Sequence, residues 1–163
     1  MNAAPVLVSA CLLGEKVRYD GRDARAENPI LARWLAQGRV VAFCPELAGG
    51  LGVPRPAAEI QGLAVLDRAG NDLTPAFRRG AQAALDAARR AGARVAVLKD
   101  GSPSCGSRSV YDGSFSGTRR AGEGLTTALL REAGLAVFSE CEIEQADAWL
   151  MDLEGQTEDE WTE

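Results

Sequence analysis

Four cysteines, no histidine, and a glutamate two residues beyond one of the cysteines set the chemistry open to this chain. Cys11 ends the apolar run that begins at Val6, and Cys44 ends the run Arg39 to Phe43. Cys105 lies in a Gly/Ser/Pro-rich loop after Arg94 to Leu98, and Cys141 follows Leu135 to Ser139. Without histidine, Ser-His-Asp and Cys-His catalysis and Cys/His zinc sites are excluded, and proton transfer falls to carboxylates, lysine, tyrosine, hydroxyls or water. Thiolates are soft donors that select iron–sulfur clusters, zinc or copper(I). Three thiolates complete a closed structural zinc site poorly, which implies an open metal position. The cysteines lack the tight spacing of ferredoxins, so spacing alone leaves inert buried thiols as open a reading as a metal centre.

Glu46 is the best placed proton-transfer candidate, because a turn after the strand would bring its carboxylate near Cys44. Burial in a partly dry pocket would raise its pKa enough to let it activate water near neutral pH. A helix cap or loop carboxylate is the plainer alternative.

The elements that must position these residues follow from hydrophobic period and punctuation. Val6 to Ala10, Arg39 to Phe43, Arg94 to Leu98 and Leu135 to Ser139 read as buried strands. Residues 29–37 have helical spacing with Asn28 as cap and Gly38 as stop. Residues 62–73 read as a hairpin turning on Gly70-Asn71. Thr74 then caps a helix with Pro75 at its first position, and Gly92 ends it. Residues 110–117 suggest a hairpin or Ω-loop, and residues 124–133 a helix. The alternation predicts one α/β domain with a mainly parallel, Rossmann-like sheet flanked by helices and a site at the carboxyl ends of its strands. That domain spans residues 1–151, and residues 152–163 are read as an acidic, frayed or loosely docked tail.

Of the 163 residues, 46% are apolar and 25% charged, an ordinary globular balance with room for one core. The formal net charge of −5 argues against nonspecific attraction to duplex DNA or bulk RNA. No bilayer-spanning run or signal peptide is recognised, so a cytoplasmic, reducing setting with free thiols is expected, and a monomer suits so short a domain.

Four segments in order, SACLLGEKVRYDG, CPELAGGLGVPRPAAEI, LKDGSPSCGS and YDGSFSG, resemble the thiouracil desulfidase family across roughly residues 5–140. The resemblance implies a 4Fe-4S cluster bound by Cys11, Cys44 and Cys105, with the fourth iron free of protein ligands. It also implies a thiolated pyrimidine base or nucleoside as substrate, and casts Glu46 as catalytic with Ser102 assisting. Ser104 is a rival to Ser102, and Cys141 falls outside every motif. Arg55, Tyr19 and Lys99 are substrate-contact candidates; pairing of Arg55 with Glu59 is the structural alternative, and a simple turn is the alternative for Arg18, Tyr19 and Asp20. Gly49, Gly50, Gly52, Gly101 and Gly106 are expected to shape the pocket. Two other functions are kept open: a sulfur carrier or cluster-bearing accessory protein, and a zinc-binding structural module.

Overall fold

The computed structural model describes residues 4–161, with side chains through Gly155. In chain order the elements are β1 (Val6–Ser9), a 3₁₀ turn (Ala10–Leu13), α1 (Pro29–Ala36), β2 (Val40–Phe43), α2 (Pro45–Ala48), β3 (Ala58–Gln61), β4 (Ala64–Asp67) and α3 (Thr74–Ala91). They continue with β5 (Val95–Leu98), β6 (Ser109–Tyr111), β7 (Arg119–Ala121), α4 (Leu125–Glu132), β8 (Ala136–Ser139) and α5 (Ile143–Trp161).

The four predicted strands form one sheet in the order β2-β1-β5-β8, every pair parallel. β1 and β5 are apolar without alternation except at Ser9, because both faces of the sheet are covered. Val6, Val8, Val95 and Val97 pack with Leu31 and Trp34 of α1 and Ile143, Ala146 and Leu150 of α5. Leu7, Ala96, Leu98 and Val137 pack with Ala84, Leu85 and Ala88 of α3 and Leu130 of α4. The protein is therefore a single α/β domain with a parallel sheet flanked by helices, as its sequence pattern predicts.

Two antiparallel pairs stand beside this sheet. β6 and β7 form the hairpin expected near Tyr111. The other hairpin differs from expectation. β3 and β4 pair with Gln61 opposite Ala64, so the turn falls on Gly62-Leu63, where Gly62 has φ 62°. Gly70-Asn71 instead lies in the turn that follows, where Asp67 accepts hydrogen bonds from the Asn71 N–H and side-chain amide, both at 2.9 Å. Thr74 opens α3 but does not cap it. Its hydroxyl accepts from the Val65 N–H at 2.9 Å, and Asp72 caps the Thr74 N–H at 2.9 Å.

The expected tail is also different. The α5 backbone stays helical to Trp161, and Glu154 accepts from Arg39 Nη2 at 2.6 Å. The helix propagates from first turns already docked on the sheet, since extending a formed helix avoids the cost of nucleation. Thr162 and Glu163 lie outside the described residues.

The topology selects one end of the molecule. The chain leaves β1 for β2 on one side and leaves β5 for β8 on the other, so the crevice between the carboxyl ends of β1 and β5 is the switch point where open α/β sheets bind ligands. Lys99 N donates to Ser9 Oγ at 3.0 Å and stitches those two ends together.

Candidate functional site

Each of three cysteines reaches this crevice by a different local device. Cys11 stands in the 3₁₀ turn after β1, which closes on Gly14 at φ 95°. Cys44 is the residue before α2, with Pro45 preset at the first helical position. Cys105 is held by the loop after β5. Ser102 Oγ accepts the N–H groups of Ser104 (2.9 Å) and Cys105 (2.8 Å), a local side-chain turn that aims the next residues. That loop packs on α4 through Thr126 N to Ser104 O (2.9 Å) and Thr127 Oγ1 to Cys105 O (3.0 Å). A Cβ on Gly124 would overlap the Ser104 backbone, so only glycine admits this approach.

α2 is set equally closely. A Cβ on Gly49 would strike the Ala76 carbonyl, and one on Gly80 would strike the Pro45 carbonyl. Two glycines thus bring the backbones of α2 and α3 together, which places Cys44 and Glu46 over the crevice.

Together these elements enclose a cavity of about 390 Å³ lined by Cys11, Cys44, Cys105, Glu46 and Ser102. Arg55, Tyr19 and Lys99 line it too, whereas of the five glycines expected to shape the pocket only Gly101 is on its wall. None of the three cysteines is in a disulfide. Burial, then the neighbouring Cys44, pushes the Cys11 thiol up to about 11. Burial also raises Cys44 and raises Cys105 strongly, with Glu46 the next contributor at Cys105. Thiols so disposed ionise when a bound cation compensates the charge, which couples metal loading to proton release.

Glu46 is held on both oxygens. Arg55 Nε donates to Oε2 at 2.9 Å and Arg55 Nη2 to the same oxygen, while Ser102 Oγ donates to Oε1 at 3.3 Å. The sequence suggested a partly dry pocket, and the Glu46 side chain is 14% exposed there, paired with Arg55. Arg55 is correspondingly not paired with Glu59. Two further donors go to Gly52 O and Val17 O, both at 3.0 Å, so four of its five N–H groups are bound within the protein. Lys99 Nζ donates to Asp100 O (3.1 Å) and pairs with Glu140 (3.4 Å). Tyr19 is 42% exposed and lines the cavity.

Ser104, the rival to Ser102, does not line the cavity. It is buried, and its hydroxyl meets Thr126 Oγ1 at 2.7 Å. Cys141 is exposed and does not line the cavity. Asp20 accepts the Arg22 N–H at 3.0 Å, a turn contact. The sequence reading missed Tyr111, Phe115 and Arg119 as cavity residues and saw Glu59 only as a partner for Arg55. Tyr111 and Phe115 belong to the YDGSFSG segment, so the motif carried the signal without the geometry.

Among the described residues, no three His, Cys, Asp or Glu side chains converge closely enough for a lone metal ion. The thiols are spread around a void many times the volume of one water, roughly 30 Å³. Three soft donors on the wall of a partly open cavity of this size fit a multi-atom iron–sulfur group in donor type and in room.

Fold and site together define an α/β protein whose switch-point crevice carries three thiols and a tethered carboxylate. Comparison with known proteins agrees. The family described as 2-thiouracil desulfurase matches residues 6–142, and the chain belongs to that family. It is 38% identical over 148 residues to the uncharacterized protein YbbK of Bacillus subtilis (strain 168), covering 85% of this chain and 97% of that one. A solved structure named as a [4Fe-4S]-dependent thiouracil desulfidase, TudS, is 50% identical, with a TM-score of 0.89 over 91% of this chain and 98% of that one.

Proposed function

We propose that this protein is a desulfidase that hydrolyses the carbon–sulfur bond of a thiolated pyrimidine such as thiouracil, giving uracil and sulfide. The observation that carries the reading is the Glu46 carboxylate, held between Arg55 and Ser102 on the wall of the cavity that three cysteines share. Cys11, Cys44 and Cys105 would hold a 4Fe-4S cluster, leaving one iron without a protein ligand. That iron would supply a Lewis acid for the substrate sulfur and a place for the departing sulfide.

The chain's own groups account for the remaining chemistry. Glu46 takes a proton from water as the water oxygen adds to the carbon bearing sulfur. Arg55 keeps the carboxylate in one orientation, so the acceptor oxygen is positioned before substrate arrives. Ser102 bridges Glu46 to the Cys105 loop and can pass a proton through its hydroxyl. The new carbon–oxygen bond replaces the carbon–sulfur bond with no net redox change, so the reaction needs no nicotinamide or flavin. No described helix is long and apolar enough to cross a membrane. A reducing cytoplasm would keep these thiols available.

Anaerobic reconstitution followed by incubation with thiouracil alone tests the reading. About four irons per chain, broad visible absorbance, and equal release of uracil and sulfide are expected. A fully loaded protein that releases neither product without a partner would instead be the carrier, and Cys44→Ser protein with a normal cluster would overturn the ligand assignment.

A further inference from the structure

Phe115 is the only non-glycine residue with positive φ among the described residues, at 56°. An apolar aromatic residue rarely adopts this conformation, and where one does, the surroundings must enforce it. Here the enforcing group is Glu59. Its Oε1 accepts the N–H groups of Gly113 (3.0 Å) and Phe115 (3.1 Å), pinning the tip of the β6–β7 hairpin from β3. Glu59 is only 8% exposed, and the reaction just described does not use it. Gly113 completes the clamp: a Cβ there would crowd Ile60 O, so the tip lies directly on β3. Arg68 stands over one face of the Phe115 ring, 5.5 Å from its centroid, and its guanidinium reaches Phe115 O at 3.5 Å.

These contacts fix the backbone that carries the Phe115 ring and set Arg68 over one of its faces. Phe115, Glu59 and Arg68 all line the same cavity as the three cysteines and Glu46. A planar, electron-poor heterocycle held with its sulfur toward the thiols needs a flat surface along its ring, and aromatic faces supply one without demanding a particular hydrogen-bond pattern.

Resting on the desulfidase reading, we propose that Phe115 is the stacking wall for the pyrimidine ring and that Glu59 is the positioning residue that holds it in place. The unit selects for planar heterocyclic thiones over flexible aliphatic thioamides of similar size.

The test uses the reconstituted protein and two readouts: steady-state kinetics with thiouracil and the dissociation constant for uracil by calorimetry. Phe115→Leu keeps apolar bulk but loses the flat face. It should raise KM and weaken uracil binding by about tenfold, with cluster content unchanged and kcat much less affected. Phe115→Tyr should restore both. Glu59→Gln retains a carbonyl acceptor for the two N–H groups and should stay close to the parent, whereas Glu59→Ala should reproduce the Phe115→Leu pattern. Its thermal unfolding, followed alongside, shows whether the fold persists. Unchanged KM and uracil affinity in Phe115→Leu, in a parent that turns over thiouracil, overturns the stacking wall alone. If Glu59→Gln falls as far as Glu59→Ala, the positioning role is overturned. A fully loaded parent that leaves thiouracil intact removes the desulfidase reading, and this inference with it.

Discussion

Ser102 Oγ donates to Glu46 Oε1 at 3.3 Å while accepting the N–H of Cys105 at 2.8 Å. One hydroxyl thereby joins the proposed base to the loop that carries a proposed cluster ligand. The two groups come from opposite ends of the crevice, α2 after β2 and the loop after β5, so their relative position is a property of the sheet.

Ser102→Ala removes these two bonds and the one from the Ser104 N–H, three at once. Two partly buried N–H groups, those of Ser104 and Cys105, lose their acceptor, at a cost of about 1–3 kcal/mol. We expect a lower unfolding midpoint, easier loss of iron to a chelator, and reduced kcat. Ser102→Thr should recover most of the stability. A Ser102→Ala protein with parental stability would show that the turn does not depend on this hydroxyl.

Arg55→Lys keeps a positive charge but cannot reproduce two donors on one carboxylate oxygen together with bonds to Gly52 O and Val17 O. Glu46 would then sample other rotamers. We expect kcat to fall at least about tenfold, since positioned acid–base groups contribute on the order of a hundredfold or more. KM for thiouracil and cluster content should change little, because Arg55 acts through Glu46. A rise in KM alone would assign Arg55 to the substrate.

Gly80→Ala separates helix propensity from packing. In an exposed helix interior alanine is favoured over glycine by up to about 1 kcal/mol. Here the new methyl would strike the Pro45 carbonyl, and overpacking costs about 1–3 kcal/mol. The clash should win, lowering the unfolding midpoint and displacing α2 with Cys44 and Glu46. Weaker cluster retention is the site-specific consequence. A stabilised variant with a full cluster would refute the close approach of α2 and α3.

Asp100 supplies the acid response of the cysteine loop. Burial alone would raise its pKa, but N–H groups of Ser109, Arg108 and Ser107, with the Ser109 hydroxyl, hold it below the ordinary value. A carboxylate depressed in the folded state stabilises at pH above its unfolded value of about 3.9 and loses that contribution as pH falls through the lower folded value. Unfolding midpoints measured between neutral pH and about pH 3 should therefore fall less steeply in Asp100→Asn than in the parent. Identical slopes would exclude Asp100 from the acid limb.

Much of the fold was legible because its strongest signals are local. The unbroken apolar runs before Cys11 and Cys105 mark strands covered on both faces, whereas the run before Cys44, expected to be a buried strand, forms the partly exposed edge strand β2. Asn28, Gly92 and Pro75 punctuate helices by backbone chemistry that acts over one turn. The hairpin at Gly62 was misplaced since two glycine turns lie eight residues apart, and only pairing of Ala58–Gln61 with Ala64–Asp67 tells them apart. Beyond Glu154 the chain carries no apolar stripe, so nothing local shows that the α5 backbone continues to Trp161.

The candidate site divides in the same way. Residue types excluded histidine chemistry and left thiol and carboxylate chemistry open, because donor softness and proton affinity belong to the side chain. The position after Cys44 singled out Glu46, and the family resemblance chose Cys11, Cys44 and Cys105. That Arg55 grips Glu46 rather than Glu59, that Glu59 instead pins Phe115, and that Gly49 and Gly80 let two helices touch are distance relations across nine to more than fifty residues. A linear pattern holds no such distances. They arise when the parallel sheet brings the carboxyl ends of its strands to one edge, and close packing then leaves each polar group only the partners within reach.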